Sequence, residues 1–171
     1  RKSFYEKNGV GVATVRAGNV IGGGDWSNDR LIPDAMKAFF SGQKLLVRNP
    51  DSVRPWQHVL DPLYGYLMLC EKLWEKPIEY SDSWNFGPSE ENLISVKDIL
   101  EFIRDLLGNK AIWELDKNEY PHEAKMLLLN SDKSMNLLEW KPKFSWKKSL
   151  ENTISWYNHY FSNTDDIYRM T

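Results

Sequence analysis

The stretch from Val10 to Val20 constrains the fold more than any other, with four valines and a single charge, Arg16. Such a run reads as a β-strand covered on both faces, the habit of an interior strand in a parallel sheet. It needs sheet neighbours on either side and helices above and below. Before it stand only Arg1 to Asn8, which read as the end of a helix stopped at Asn8-Gly9. The expectation is a truncated fold: a chain that begins in the middle of a larger α/β protein.

The rest of the chain alternates in the same style. Leu31, Ile32, Ala35, Met36 and Phe39 recur at helical spacing, with Gly42 as the stop. Extended pieces follow at Lys44 to Arg48 and Val53 to Val59, divided by the turn Asn49-Pro50-Asp51. Asp61-Pro62 opens a helix, with Asp61 as its cap, that runs to about Glu75 and stops before Pro77. Trp84 to Phe86 is a strand ended by Gly87-Pro88. Ser95 and Asp98 form a capping box for a helix through Leu107, stopped by Gly108. Ile112 to Leu115 and Met126 to Leu129 read as strands. Ser131 and Ser145 cap two last helices ending near Trp156-Tyr157. Strands alternating with helices argue an α/β domain.

Composition narrows the function mainly by exclusion. A net charge of −2 gives no electrostatic reason to seek nucleic acid or an anionic membrane. The one cysteine, Cys70, excludes an internal disulfide framework and a cysteine-based zinc cage. No apolar stretch approaches a membrane span, and the charged first residues do not read as a signal peptide, so a soluble, cytoplasmic chain is expected. His58, His122 and His159 lack metal-ligand spacing, and there is no G-x-S-x-G elbow for acyl transfer.

Several segments carry chemistry on one reading and simple packing on another. Gly9-Val10-Gly11 fails as a dinucleotide fingerprint, because Thr14 stands where the third glycine is needed and a strand runs where the helix should. Gly22-Gly23-Gly24 allows backbone to approach a phosphate or sugar, or else forms a loop with positive φ. Arg54, alone, reads as a surface ion pair before it reads as a phosphate fork. Asn19 ends the opening strand, where open α/β sheets border their ligand crevice, and serves as ligand contact or turn cap. His122-Glu123 reads as a solvated loop. Most of the eight tryptophans read as core or rim rather than as a sugar platform.

Taken in order, these segments resemble a known family. Arg16-Ala17-Gly18-Asn19-Val20-Ile21-Gly22 resembles the R-x-x-N-x-x-G segment of extended short-chain dehydrogenases/reductases that act on nucleotide sugars. Leu31-Ile32-Pro33 is similar to the start of their substrate-domain helix. Arg54 to Asp61 resembles their R-x-x-x-[HY]-V-x-D segment, and Trp84-Asn85-Phe86-Gly87 their x-N-x-G strand. Within the family the resemblance is strongest to the CDP-glucose 4,6-dehydratases. It is carried by Gly22 to Trp26, Asp29 to Asp34, Pro55 to Leu63, Trp84 to Pro88 and Pro121 to Ala124, and continues through Ser131-Asp132-Lys133, Trp140-Lys141-Pro142 and Trp156-Tyr157. One departure is Glu139 before Trp140, where the family usually has glycine.

The resemblance implies the C-terminal portion of a Rossmann-type α/β fold together with its smaller substrate-binding domain. Residues 1–21 would end the dinucleotide-binding domain and 22–171 would form mainly the nucleotide-sugar domain, with about 60–87 returning to pack on the Rossmann sheet. It implies NAD, held mainly by an N-terminal half that also carries the Tyr-x-x-x-Lys pair, and this sequence has no such pair. The implied reaction is an internal redox cycle: hydride leaves the sugar C4, water is lost across C5–C6, and the hydride returns to C6. CDP-glucose would become CDP-4-keto-6-deoxyglucose. The implied pyrophosphate contacts are Asn19 and Arg54. Arg30 and Leu31 would meet the nucleotide, Leu46 and Val47 wall its base, and His122 and Glu123 lie near its ribose. Ala17 and Gly18 would meet the nicotinamide through backbone. A homodimer is implied for the full-length protein. Two alternatives remain: a nucleotide-sugar epimerase of the same fold, and a non-catalytic nucleotide- or carbohydrate-binding module.

Overall fold

The computed structural model describes residues 5–89, 93–118, 120 and 124–162, leaving aside the side chain of Glu6. Seven strands and five helices follow one another in α/β fashion among them. A short 3-10 turn, Glu6–Asn8, closes on Gly9, whose φ of +69° only glycine adopts freely.

The opening strand is not one strand. It divides into β1 (Thr14–Ala17) and β2 (Asn19–Ile21) at Gly18, and the two halves pair with different partners. β1 pairs in parallel with β5 (Ser83–Phe86), Val15 opposite Trp84. β2 pairs in parallel with β4 (Val53–His58), Asn19 opposite Trp56. The cause is steric: a Cβ on Gly18 would stand 2.8 Å from the Pro55 carbonyl oxygen, so only glycine lets the chain pass β4 this closely. Nor is β1 covered on both faces. Thr14, Val15 and Arg16 are exposed, because among the described residues β5 is its sole strand partner.

β4 also pairs antiparallel with β6 (Leu93–Ser95), a strand the sequence reading missed. β3 (Leu45–Val47) and β7 (Trp113–Leu115) form a separate parallel pair. The segment after Met126, read as a strand, makes only an isolated bridge from Met126 to Val53.

Helix ends follow their local signals. α1 (Leu31–Phe40) ends before Gly42 at φ +71°, and α3 (Val96–Leu107) before Gly108 at φ +64°. The Ser95 hydroxyl accepts from Asp98 N at 3.1 Å, as a cap should, and donates to the Asp98 carboxylate at 2.6 Å. α2 (Leu60–Glu75) stops before Pro77. Its first residues do not cap it through Asp61. That buried carboxylate accepts from Lys143 N at 2.8 Å and Phe144 N at 3.3 Å, pinning the loop before the last helix. Ser131 likewise precedes α4 (Asp132–Leu137) but accepts from Gly87 N at 2.6 Å instead of capping. α5 (Trp146–Ser162) runs past the Trp156-Tyr157 region where it was expected to end.

Two cores result. The larger packs α1, α3 and α5 through Ile32, Met36, Ile103, Leu150 and Tyr157, and meets the sheets at Ile21, Val47 and Trp56. The smaller joins α2 to β5 through Leu69, Trp84, Phe86, Leu138 and Trp140. The Gln57 side-chain amide links the two sheets, donating to the Phe86 carbonyl at 2.8 Å. Trp56, Trp84 and Trp140 are buried with each indole N–H bonded to a carbonyl, whereas Trp74, read as a core or rim residue, is 90% exposed. No described helix is long and apolar enough to cross a membrane, and no described group of three or more His, Cys, Asp or Glu is placed to hold a metal.

Candidate functional site

Because β1 and β2 part at Gly18, the carboxyl end of the opening strand lies open beside the start of α1. A cleft of about 490 Å³ forms there, floored by Ala17, Gly18 and Asn19 and walled by Arg30, Leu31 and Trp56. A second lobe of about 230 Å³ continues from it past Leu46, Val47 and Arg54. Asn19, Asp29, Arg30, Leu31 and Trp56 line both lobes. Concavity at strand ends is where open α/β sheets take their ligands.

All eight of the candidate residues that fall among the described ones border this two-lobed cleft: Ala17, Gly18, Asn19, Arg30, Leu31, Leu46, Val47 and Arg54. His122 and Glu123 lie outside the described residues. The side chains differ in how they are held. Arg54 is not at the surface but 7% exposed, its Nη1 donating to the carbonyls of Val53 at 3.0 Å and Ala124 at 2.9 Å. Those carbonyls orient the planar guanidinium at the wall of the smaller lobe. Arg30 is exposed and pairs with Asp25 at 3.4 Å. Burial would raise the Asp25 pKa, but bonds from Ser27 and the Arg30 charge outweigh it and hold the carboxyl below its ordinary value. Leu46 projects from β3 between the buried Leu45 and Val47 and is 60% exposed.

The glycine run beside the cleft is closely packed at two of its three positions. A Cβ on Gly22 would meet Val59 at 2.7 Å and one on Gly23 would meet the Trp156 ring at 2.2 Å, while Gly24 takes φ +76°. The close approaches at Gly22 and Gly23 are to protein side chains. His58, the last residue of β4, has its pKa lowered by burial, against a smaller raising effect of Asp61, and its Nδ1 accepts from Leu60 N at 3.3 Å.

The sequence reading missed Asp29, Arg48 and Trp56 as lining residues. Asp29 holds φ +57°, a left-handed conformation costing about 1–2 kcal/mol outside glycine, and pairs with Arg48 at 3.3 Å. Asn28-Asp29 carries the faint signal, since Asn and Asp tolerate that region.

No family model matches the chain. It is 44% identical over 161 residues to CDP-glucose 4,6-dehydratase of Salmonella typhimurium, covering 94% of this chain and 45% of that protein. It is 24% identical to human dTDP-D-glucose 4,6-dehydratase, covering 97% and 47%. Among solved structures, UDP-glucuronic acid 4-epimerase of Bacillus cereus superposes with a TM-score of 0.76 at 19% identity, covering 92% of this chain and 48% of that one. dTDP-glucose 4,6-dehydratase of Bacillus anthracis superposes with a TM-score of 0.71 at 23% identity, covering 99% and 50%. The chain spans about half the length of the relatives it matches. In sequence it is similar to CDP-glucose 4,6-dehydratase, and in fold it corresponds to about half of the epimerase and dehydratase structures on which it superposes.

Proposed function

We propose that this chain is the C-terminal, substrate-binding half of a nucleotide-sugar 4,6-dehydratase, a lyase that converts CDP-glucose to CDP-4-keto-6-deoxyglucose. The observation that carries the reading is the 44% identity to CDP-glucose 4,6-dehydratase along 94% of the chain. The convergence of eight candidate residues on one cleft supports it.

In this reading Asn19 and Arg54 hold the pyrophosphate, Arg30 and Leu31 meet the nucleotide, and Leu46 and Val47 wall the base. His122 and Glu123 complete the ribose side. The backbone of Ala17 and Gly18 borders the nicotinamide of an NAD held mainly by the N-terminal half. NAD supplies the hydride acceptor and donor. This half supplies grip: binding energy from the nucleotide, remote from the reacting sugar, positions the sugar for reaction. Residues 1–21 belong to the dinucleotide-binding domain and 22–171 mainly to the substrate domain, with about 60–87 returning to the Rossmann sheet. The apolar outer stripe of α2, Leu60, Leu63, Tyr64 and Leu67, supports that return. The complete enzyme is a cytoplasmic homodimer, and this segment alone, without a Tyr-x-x-x-Lys pair, is inactive.

The test uses the complete polypeptide with CDP-, UDP-, dTDP- and GDP-glucose, followed by mass spectrometry. Loss of one water with CDP-glucose alone is the expected result. Loss with another nucleotide keeps the chemistry and changes the base, and no loss with any of them defeats the reading. Arg54→Ala should raise KM for the nucleotide sugar at least tenfold while NAD content stays constant, and an unaltered KM removes Arg54 from the site. A second reading, a nucleotide-sugar epimerase, is favoured by the superposition on UDP-glucuronic acid 4-epimerase. It predicts an altered sugar of unchanged mass.

A further inference from the structure

Two ladders stand side by side behind the cleft and do not join. β1 and β5 form one, β2, β4 and β6 form the other, and the chain passes from the first to the second at Gly18. Pro55 of β4 faces that crossing, its carbonyl oxygen 2.8 Å and its ring 3.0 Å from the place a Gly18 Cβ would take. Proline has no N–H to give a ladder, so Pro55 donates nothing across the seam. A side chain crosses it instead. Gln57, near the end of β4, donates its Nε2 to the carbonyl of Phe86, the last residue of β5, at 2.8 Å.

A carbonyl only accepts, so the amide nitrogen must face Phe86 and the amide oxygen must face away. Gln57 is fully buried, and its Oε1 meets no donor among the described residues. An apolar side chain of the same length would fill this place without an unpaired oxygen, so packing does not account for the amide. What the amide supplies is a directed bond between the two ladders. The cleft shows what such a bond controls. Ala17 ends β1 on one side of the seam, while Asn19, Arg54 and Trp56 belong to β2 and β4 on the other. Gln57 lines neither lobe, because strand alternation turns it away from the face that Trp56 presents to the cleft.

We propose that Gln57 is a positioning residue: by tying β4 to β5 across the seam, it fixes the pyrophosphate grip of Asn19 and Arg54 relative to the strand end at Ala17, where the sugar meets the nicotinamide. Within the nucleotide-sugar reading, on which this rests, Gln57 touches neither substrate nor cofactor. Each side of the seam keeps its own contacts when the tie is cut. Affinity for each ligand should therefore survive, and the alignment between them should not.

The experiment uses the complete polypeptide and the nucleotide sugar that the wild type dehydrates, CDP-glucose in the reading above. It follows kcat and KM for water loss, equilibrium binding of the matching nucleoside diphosphate, retained NAD, amide hydrogen exchange and the thermal midpoint. Gln57→Met, equal in length and without a donor, should lower kcat roughly tenfold. KM, nucleotide affinity, NAD content and the midpoint should stay close to wild type, while amides of β2 and β5 exchange faster. Gln57→Leu, a different shape that lacks the same donor, should match it. An unchanged kcat in Gln57→Met would overturn the proposal. A fall in nucleotide affinity and NAD content in step with kcat, with a lowered midpoint, would overturn it too and make Gln57 a structural residue. So would a leucine variant far worse than the methionine one, which would assign the effect to packing. Wild-type protein that dehydrates none of the four nucleotide sugars would defeat the nucleotide-sugar reading and this proposal together, and it is told apart by appearing before any substitution is made.

Discussion

Around β2, β4 and β6, helices α1, α3 and α5 close the larger core, and Ala35, Met36, Ile99, Leu100, Ile103 and Leu150 are fully buried. Around β1 and β5 the closure is one-sided. α2 buries Pro62, Gly65 and Leu69 inward while Leu60, Leu63, Tyr64 and Leu67, one helical stripe, stay 46–70% exposed. A helix apolar on two sides is built to be buried on both. The difference teaches that hydrophobic pattern records the burial a segment is made for, and that this chain satisfies the pattern in one region and half satisfies it in the other.

The sharpest way to break the comparison is to remove the side chain on which the smaller core turns. Trp140 is fully buried, sits edge-on to Phe86 at 5.1 Å, and donates to the Asp61 carbonyl at 3.0 Å. Trp140→Ala should cost about 3–5 kcal/mol in denaturant unfolding. A loss under about 1 kcal/mol would mean that the smaller core contributes little on its own.

Overfilling the same core comes next. A Cβ at Gly65 would meet the Phe86 ring at 2.4 Å and Trp140 at 2.9 Å. Gly65→Ala should therefore lose about 1–3 kcal/mol despite alanine's better helix propensity. A gain in stability would show that α2 can slide outward over β5.

The larger core carries a pH signature centred on Tyr157. The Tyr157 hydroxyl, desolvated by burial and near Asp25, donates to the Asp25 carbonyl, and its pKa is pushed up to about 12. The fold favours the neutral phenol, so the contribution is complete below pH 10 and is lost as pH rises through 10 towards 12. Unfolding midpoints should fall across that window, and Tyr157→Phe should flatten the fall. An equal slope in both proteins would assign the alkaline loss elsewhere.

The smallest effect sharpens the contrast most. Leu67→Gln should change the stability of the 171-residue chain by no more than about 0.5 kcal/mol, since Leu67 is 70% exposed. If residues about 60–87 pack on a Rossmann sheet in the complete polypeptide, the same substitution should cost about 2 kcal/mol there. Equal effects in both would leave the outer stripe of α2 uncovered.

Much of the scaffold was legible in the sequence because helix ends are announced locally. Gly42, Pro77 and Gly108 stop α1, α2 and α3 through backbone constraints that need no distant partner. β6 was missed because three residues abutting a helix carry no period. Asp61 before Pro62 looks like a cap, yet its partners lie 82 and 83 positions away, a contact that no local pattern encodes. The candidate cleft was legible through motif order, while its lining by Asp29, Arg48 and Trp56 was not.

By itself the sequence determined the α/β alternation, most helix ends and eight of the residues that gather at the cleft, because each follows from local sterics, periodicity or motif. Tertiary structure alone decided that the opening strand changes partners at Gly18, that Arg54 is buried beside carbonyls, and that Arg48 lies between Tyr120 and Asp29. Those outcomes depend on which atoms meet across tens of residues, and sequence spacing does not carry that information.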